Sequence, residues 1–305
     1  MLPKFIFQAE ENLVEKPWGG DFIAKLKGLG LKGIGESWEF SAHPSRPSKV
    51  AVDGVMSMLE LIERYGRDVI DGFEEFPILV KIIDANENLS VQVHPSEEQA
   101  KELGEKDHGK PEAWVVLDAD EGAKIYLGFK EDVEPEEFRK AIERGEALEY
   151  LNAVEVKKGD AFYIPAGTIH ALGKGVRVLE VSTNSNVTYR IYDYGRGREL
   201  HLDKAFRVLN FKGTDVEELR QRAKRTNGLT RMVDTEFFKI DRVEESTRIR
   251  NPSFQILLCL NGSVTLKEDS EMAKVGKGRS VLIPAINEEY EVELEGSAEV
   301  YVVTP

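Results

Sequence analysis

The chain has 305 residues, of which 41% are hydrophobic and 31% charged, a composition that excludes an intrinsically disordered chain and allows one large domain or two. Its formal net charge of −14 argues against nucleic acid as a general partner. No stretch approaches the roughly 18 apolar residues of a membrane span, and no signal-peptide pattern is present. We therefore expect a cytoplasmic protein without a membrane partner, in which the single cysteine, Cys259, is a buried free thiol.

The predicted elements of the first half are mostly short strands. Residues 1–80 mix short extended pieces with loops, apart from one helix predicted in VMSMLELIERYG, residues 55–66. From Phe76 onward, alternating or continuous apolar runs predict strands in FPILVKIID, LSVQVHP, EAWVVLD and AKIYLGF. This part of the chain is therefore predicted to be mainly β.

The second half continues the same pattern with two predicted helices. A small helical insertion is expected near residues 134–152, where Pro135 and two glutamates suit a first helical turn. DVEELRQRAKR, residues 215–225, predicts a connecting helix, and residues 229–305 are again predicted to form short strands and turns. Many short strands separated by turns favour barrels or sandwiches.

An internal echo indicates that two related units follow one another. GDAFYIPAGTIHAL (159–172) and GRSVLIPAINEEYEV (278–292) both contain a glycine, an apolar strand and then Ile-Pro-Ala. Such self-similarity predicts two related β-barrels in tandem. Because Glu289 occupies the position of His170 in the second copy, only the first copy keeps a potential metal ligand.

Four potential metal ligands lie in separate strand regions. Gln92 and His94 are two residues apart, so both side chains leave one face of a strand. His170 follows the strand AFYIP after a short turn, and Glu112 precedes an apolar run in GKPEAW. An amide oxygen, two imidazoles and a carboxylate suit zinc or another divalent ion. Each residue alone is more often solvated or hydrogen-bonded, so the prediction depends on the combination.

The block GDAFYIPAGTIHAL fits the second cupin motif: Gly, five residues, Pro, one residue, Gly, two residues, His. Together with LSVQVHP, GKPEAW, GESWEFSAHP and YRIYDYGR, it resembles type I mannose-6-phosphate isomerases, a zinc-dependent cupin family, in their compact prokaryotic form. The resemblance extends from about Pro17 to Phe211. After Gly213 the chain resembles the family's C-terminal barrel only in the repeated Ile-Pro-Ala segment. It implies a mainly β fold of two tandem cupin (jelly-roll) barrels with a small helical insertion. The catalytic domain would span 1–213, and a cupin-like domain without a metal site would span 214–305.

The resemblance also implies roles for individual residues. One Zn²⁺ per chain would be bound by Gln92, His94, Glu112 and His170. The implied catalytic residues are Lys110, Glu180 and Arg190, and the implied contacts to the substrate's phosphate are Lys81 and Ser90. The implied reaction interconverts D-mannose 6-phosphate and D-fructose 6-phosphate, so the partner is a small sugar phosphate, while the oligomeric state stays open.

Elementary chemistry requires the same residue types for such a reaction. Moving a proton between C1 and C2 through an enediol needs a Lewis acid for the oxygen charge and a positioned acid–base group. Glu180 and Lys110 are the candidates for proton transfer. Arg190 has a planar fork of donors that suits a phosphate or the developing charge.

Other readings of these residues stay open at this point. Two histidines and a carboxylate also bind Fe(II), as in an oxygenase, and a sugar-binding protein without catalysis could hold a structural metal. Trp18 and Trp38 could stack on a sugar, although tryptophans beside glycine turns more often pack structurally. The run YRIYDYGRGR could contact nucleic acid, which the acidic chain disfavours. The remaining histidines, His43, His108 and His201, lack ligand spacing.

Overall fold

The structure is a computed structural model that describes residues 5–52 and 54–305. Within these ranges the chain is mainly β, which confirms the predicted fold class. The strands of the first two-thirds are β1 (Phe7–Gln8), β2 (Leu13–Gly20), β3 (Ile34–Phe40), β4 (Lys49–Val52), β5 (Gly54–Ser57), β6 (Ile78–Ala85), β7 (Val91–Val93), β8 (Glu112–Ala119), β9 (Lys124–Phe129), β10 (Leu151–Glu155), β11 (Ala161–Ile164), β12 (His170–Leu172), β13 (Val176–Thr183) and β14 (Tyr189–Tyr192). The later strands are β15 (Lys224–Thr226), β16 (Leu229–Asp234), β17 (Lys239–Val243), β18 (Thr247–Arg250), β19 (Gln255–Glu268), β20 (Glu271–Gly276), β21 (Arg279–Ile283) and β22 (Glu289–Thr304).

The helices are short and lie between the strands. They are α1 (Phe22–Leu26), α2 (Met58–Tyr65), α3 (Arg67–Ile70), α4 (Glu97–Glu102), α5 (Pro135–Glu143), α6 (Leu202–Val208) and α7 (Val216–Leu219), with a 3-10 helix at Ala147–Tyr150. The described part of the chain contains no helix that combines the length and the apolar character needed to cross a membrane.

Two antiparallel sheets form what we call the N-terminal barrel. One sheet has the strand order β11-β8-β13-β6-β3-β2, and the other has the order β10-β9-β12-β7-β14. Their inner faces share a buried core, in which Ile83 and Trp114 from the first sheet pack with Ile125 and Leu172 from the second. Two packed sheets of this kind can direct side chains from many strands into one interior.

The remaining strands form a nine-stranded sheet around the long strands β19 and β22, which we call the C-terminal barrel. Its members include β1, because Phe7 pairs with Leu282 of β21. The first strand of the described residues therefore joins the sheet of the C-terminal barrel. The predicted division into residues 1–213 and 214–305 stays a prediction.

Strand alternation explains how the two barrels position the site. On β6, Val80 and Ile82 belong to a core shared with Leu258 and Tyr301 of the C-terminal barrel. The residue between them, Lys81, leaves the opposite face of the strand and lines a cavity inside the N-terminal barrel. One face of the six-stranded sheet thus anchors the second barrel, while the other face carries the polar residues.

The helix predictions succeed where local signals agree with the packing. Within the range predicted around residues 55–66, α2 begins after Ser57, which forms a capping box with Glu60. The predicted insertion near 134–152 forms α5 and the 3-10 helix, with Gly145 at a φ of 77° between them.

The predicted connecting helix at residues 215–225 is wrong over most of its length. Only the single turn of α7 forms, and β15 begins at Lys224. Arg220 lies 4.7 Å from the ring centroid of Phe162, and the backbone N–H of Gln221 donates to the carbonyl of Ala161 over 2.8 Å. These contacts with β11 hold the chain in an extended path, so tertiary packing overrides the helical preference.

The sequence echo corresponds to the same local structure in both copies. In each copy a strand ends at Ile-Pro, a turn follows, and the next strand begins at His170 in the first and at Glu289 in the second. Gly167 has a φ of +84°, and a Cβ at this position would lie only 3.0 Å from the carbonyl oxygen of Val208. A glycine is therefore required in the turn that positions His170.

Candidate active site

Three of the four predicted metal ligands meet inside the N-terminal barrel. His94, Glu112 and His170 are buried, and their potential ligand atoms lie within 4.8 Å of one another. The Nε2 atom of His94 is 3.3 Å from Oε2 of Glu112, and Nε2 of His170 is 3.4 Å from Oε1 of Glu112. His94 directly follows β7 and His170 begins the neighbouring strand β12, whereas Glu112 begins β8 of the other sheet.

Backbone hydrogen bonds hold both imidazoles in the orientation that a cation requires. The Nδ1–H of His94 donates to the carbonyl of Val187 over 2.8 Å, and the Nδ1–H of His170 donates to the carbonyl of Thr168 over 2.8 Å. Each Nε2 is therefore unprotonated and faces Glu112. Burial, together with the charge of Lys110, lowers the pKa of His94 to about 3, and burial also lowers the pKa of His170.

Gln92 is the fourth predicted ligand, but the nitrogen of its amide, and not the oxygen, faces His170. Its Nε2 lies 3.3 Å from Nε2 of His170, where the amide nitrogen donates to the free ring nitrogen. The two residues are directly opposed on β7 and β12. Rotation of the amide by 180° places its oxygen at the same point, which is the orientation of a ligand to a cation.

The donor set fits a divalent cation. Burial alone would raise the pKa of Glu112, but the neighbouring ammonium of Lys110 holds it well below its usual value. The Oε1 atom of Glu112 has no hydrogen-bond partner among the residues that the structure describes. A carboxylate oxygen and an unprotonated ring nitrogen of His170 thus face each other at 3.4 Å without a proton between them. A cation at this point would convert a repulsive contact into coordination.

A polar cavity of about 310 Å³ lies against these ligands. Its wall includes every predicted catalytic and substrate-binding residue and one predicted ligand, namely Lys81, Ser90, Gln92, Lys110, Glu180 and Arg190. Lys110 connects the cavity to the ligands, because its Nζ is 3.5 Å from Nε2 of His94 and also donates to Glu112. The structure therefore brings all the predicted residues together, although their catalytic and binding roles stay predictions.

Carboxylates and lysines alternate along the wall that the six-stranded sheet provides. The Oε1 atom of Glu180 is 3.5 Å from Nζ of Lys110 and 3.7 Å from Nζ of Lys81. Burial alone would lower the pKa of Lys110, but Glu112 and Glu180 raise it above its usual value. Lys81 is also 4.0 Å from Glu36, so each of these two ammonium groups is shared between two carboxylates.

Several residues of the cavity escaped the sequence analysis. Lys16, Glu36 and Arg198 all line its wall. Burial alone would raise the pKa of Glu36, but two neighbouring lysines lower it to about 2. A signal for Glu36 existed, because it lies in GESWEF, two residues before a tryptophan on the same strand face. Arg198 lies in an irregular loop that carries no periodic signal.

The two tryptophans have different positions. Trp18 lines the cavity, whereas Trp38 is buried and outside the wall. The indole N–H of Trp38 donates to Glu36 over 2.8 Å, and its ring lies 4.4 Å from Nζ of Lys81. Trp38 therefore packs structurally and supports the charged wall.

A larger and mostly apolar cavity of about 560 Å³ lies elsewhere in the molecule. Phe76, Tyr163 and Phe237 contribute to its wall, and none of the four predicted ligands does. Volume alone would identify this cavity as the active site. The smaller cavity is the better candidate, because buried metal-ligand donors and paired charges meet there.

The fold and the site together define a class of protein. The interior of the jelly-roll barrel holds two histidines and a glutamate, next to a cavity lined by paired lysines and carboxylates. This combination defines a metal-binding cupin enzyme.

Comparison with known proteins narrows this class. A family profile described as "Phosphomannose isomerase type I, catalytic domain" matches residues 7–114, and one described as "Mannose-6-phosphate isomerase, cupin domain" matches residues 229–305. A Bacillus subtilis (strain 168) relative, "Probable mannose-6-phosphate isomerase GmuF", is 33% identical over 308 residues, covering 95% of this chain and 96% of the relative. A mannose-6-phosphate isomerase from Streptococcus mutans serotype c is 41% identical over 212 residues, 66% of each chain. The crystal structure of the mannose 6-phosphate isomerase from Bacillus subtilis has a TM-score of 0.88 and 30% identity, and the match covers 99% of this chain and 100% of that chain.

The chain therefore belongs to the type I phosphomannose isomerase family. This confirms the family, the cupin fold and the isomerase class that the sequence predicted. The two alternative functions, an iron oxygenase and a sugar-binding protein without catalysis, receive no support from these relatives.

We expect one bound cation per chain, with none in the C-terminal barrel. Glu289, which stands where His170 stands in the first copy, has a side chain that is 58% exposed and pairs with Arg248 over 3.1 Å. Inside the barrel, the hydroxyl of Tyr290 donates to Gln255 over 2.8 Å, so neutral groups satisfy each other there. Elemental analysis of the purified protein should give about one metal per chain. A ratio near two, or an ion coordinated by residues 229–305 in a crystal, would contradict this prediction.

Proposed function

We propose that this site interconverts D-mannose 6-phosphate and D-fructose 6-phosphate by moving a proton between C1 and C2 through an enediol. The observation that carries the proposal is the position of Glu180 and Lys110 in one polar cavity, directly against the buried set of His94, Glu112 and His170. The names of the relatives support this choice of substrate.

The proposed cation is Zn²⁺, one per chain, with Gln92, His94, Glu112 and His170 as its ligands. Two imidazoles and a carboxylate are donors that zinc accepts readily. When bound, the cation supplies Lewis acidity that stabilises negative charge on a substrate oxygen. Because the same donors accept other divalent metals, elemental analysis of protein purified without added metal tests the identity of the ion.

Glu180 is the proposed proton carrier. Its carboxylate lies between the ammonium groups of Lys110 and Lys81, and the indole N–H of Trp114 donates to it over 3.3 Å. Lys110 donates to Glu112 as well as to Glu180, so its protons hold the carboxylate in place and add positive charge beside the reacting carbons. A carboxylate positioned in this way takes the proton from one carbon and returns it to the next, a contribution of about 10²–10⁴-fold.

The proposed substrate is a dianion, whereas the whole chain carries a net charge of −14. A local group of cations must therefore create a favourable field at the cavity. Lys81, Ser90 and Arg190 are the residues of the wall that we propose to contact the phosphate or the developing charge. Ser90 and Gln92 leave the same face of the strand, so the hydroxyl points into the cavity beside the ligands.

A coupled assay that detects fructose 6-phosphate tests the proposed function. The purified protein should convert mannose 6-phosphate, lose this activity after chelation, and regain it when zinc is added back. A fully metal-loaded and folded protein that produces no fructose 6-phosphate would refute the proposal.

Replacing Arg190 with lysine should lower turnover by at least about tenfold, or roughly 1.4 kcal/mol of barrier. Lysine keeps the charge but loses the planar fork of donors. Metal content should not change, because Arg190 is opposite Gln92 on the neighbouring strand and is not itself a ligand. Steady-state kinetics and metal analysis on one preparation provide the check. Wild-type rates would assign Arg190 no role in the reaction, and a loss of metal would show that the strand supports the ligands.

A cytoplasmic location stays part of the proposal. Cys259 is free and buried, and burial raises its pKa to about 11, so the thiol is unreactive. A free thiol of this kind is compatible with a reducing compartment.

A further inference from the structure

The segment between β14 and α6, residues 193–201, brings one more cation to the cavity. Arg198 lines the cavity wall, and the sequence marks it only as the last residue of the run YRIYDYGRGR. Tyr194, Gly195 and Gly197 have φ angles of 55°, 72° and 76°, so the backbone makes a tight, specific turn just before this arginine. The turn places the side chain of Arg198 next to the end of the five-stranded sheet that carries Arg190.

A buried carboxylate fixes the guanidinium of Arg198. Asp193 is only 3% exposed. The Nε–H of Arg198 donates to Oδ2 of Asp193 over 2.8 Å, and Nη2 donates to Oδ1. This two-pronged contact aligns the planar group before any ligand arrives, and it leaves the other N–H groups of Arg198 free to bind an oxyanion.

Arg190, on the same side of the cavity, lacks such a partner. In the described part of the chain no carboxylate lies within 4.0 Å of it, and its buried Nε has no hydrogen-bond acceptor. One of its other nitrogens donates to the carbonyl of Glu199 over 2.8 Å. Burial lowers the pKa of Arg190, and the neighbouring charge of Arg198 lowers it further.

The facing wall is different, because its lysines already have partners. Lys81 and Lys110 contact Glu180, and Lys16 contacts Glu36 over 2.9 Å. Unbalanced positive charge is therefore concentrated on the arginine side. A dianion that bridges the two guanidinium groups would relieve their repulsion and satisfy the free Nε.

The spacing from the ligands suits the substrate. His170 is directly opposite Gln92, which in turn is opposite Arg190, so the proposed ligand Gln92 lies one strand spacing from the arginine and the proposed ligand His170 lies two. Two spacings correspond to roughly 9–10 Å between the backbones. This span is comparable to the length of an extended hexose phosphate from C1 to its phosphorus.

We propose that Arg198, positioned by Asp193, forms with Arg190 the receptor for the phosphate group of the substrate, and that Arg198 makes the site specific for phosphorylated over free sugar. This inference rests on the proposed function and adds a residue to it. Lys81 and Ser90, the other proposed contacts to the phosphate, line the same cavity. Asp193 is a positioning residue, because it acts through Arg198.

The chain offers a matched control two residues away. Arg196 also contacts Asp193, over 3.4 Å, but it lies 5.0 Å from the ring centroid of Tyr194 and does not line the cavity. Arg198→Gln should raise both the KM for mannose 6-phosphate and the inhibition constant of inorganic phosphate by at least about tenfold. Arg196→Gln should change either constant by less than about twofold, since its charge is partly solvated.

The inference and the proposed function fail in different ways. If the wild-type protein does not convert mannose 6-phosphate, the proposed function is lost. Calorimetric titration of the three proteins with inorganic phosphate still decides whether Arg198 binds it. An inhibition or dissociation constant for phosphate that is unchanged in Arg198→Gln, or a fall in kcat alone, would overturn the inference.

A second variant controls for a loss of folding in Arg198→Gln. Arg198→Gln leaves the buried carboxylate of Asp193 without its main partner, which is costly. The double variant Asp193→Asn/Arg198→Gln replaces the ion pair with two neutral amides and removes that cost. If its circular dichroism spectrum matches the wild type, it should show the same loss of phosphate binding. Retained phosphate binding in this folded double variant would equally overturn the inference.

Discussion

Replacing His94 and His170 together with alanine is expected to remove the bound cation and to lower turnover of mannose 6-phosphate by at least about 10³-fold. The double variant leaves only Glu112 and Gln92 from the ligand set, too few donors to hold a divalent ion. The Lewis acidity lost with the ion is worth several kcal/mol, and each 1.36 kcal/mol corresponds to about a tenfold change in rate. Elemental analysis and the coupled assay, made on one preparation, measure both effects.

A histidine outside the site provides the matched control. The side chain of His108 is 49% exposed and contacts Glu75 and Glu97. The variant His108→Ala should therefore keep one metal per chain and turn over substrate at the wild-type rate. Full metal occupancy in the His94→Ala/His170→Ala protein would show that the ion is held elsewhere, and the assignment of the ligands would then be wrong.

The variant Glu180→Gln should lower kcat by about 10²–10⁴-fold and leave the metal in place. Glutamine has the same shape and can still accept a hydrogen bond from Trp114, but it cannot take up a proton near neutral pH. Glu180 is 3.5 Å from Lys110 and is not one of the proposed ligands, so metal content should be that of the wild type. Exchange of the C2 proton of mannose 6-phosphate with deuterated water, followed by NMR, should slow in parallel with kcat.

A variant of a second buried glutamate serves as the control that distinguishes loss of the proton carrier from loss of stability. Glu39 is 3% exposed, compared with 4% for Glu180, and it pairs with Lys27 over 3.0 Å outside the cavity. The variant Glu39→Gln should lower the melting temperature without lowering kcat in the native state. Equal rates in Glu180→Gln and Glu39→Gln would exclude Glu180 as the proton carrier.

Local patterns predicted most of the elements that position the site. Gln92 and His94 leave one face of a strand because side chains alternate with a period of two, and this rule needs no tertiary information. The glycine before His170 adopts a positive φ, which few other residues tolerate, so its turn is visible in the sequence. The mainly β class followed from the short apolar runs for the same reason.

Predictions that depended on distant contacts were less successful. The helix over residues 215–225 has a favourable local sequence, yet contacts with β11 hold most of it extended. Glu36 and Arg198 belong to the cavity only because a neighbouring strand and an irregular loop bring them there. Strand alternation could at most place Glu36 on one face of β3, and no periodicity marks Arg198, because the role of both residues arises from which segments meet rather than from their own neighbours.

The sequence by itself determined the class of fold, the family and the identities of the four proposed ligands, because alternation, turn chemistry and motif spacing are properties of short segments. Only the tertiary structure decided that His94 and His170 expose unprotonated nitrogens to Glu112, and that Arg190 and Arg198 reach the wall of the same cavity. Protonation and net local charge depend on burial and on charges brought from distant parts of the chain. Those quantities exist only once the two sheets have packed around the cavity.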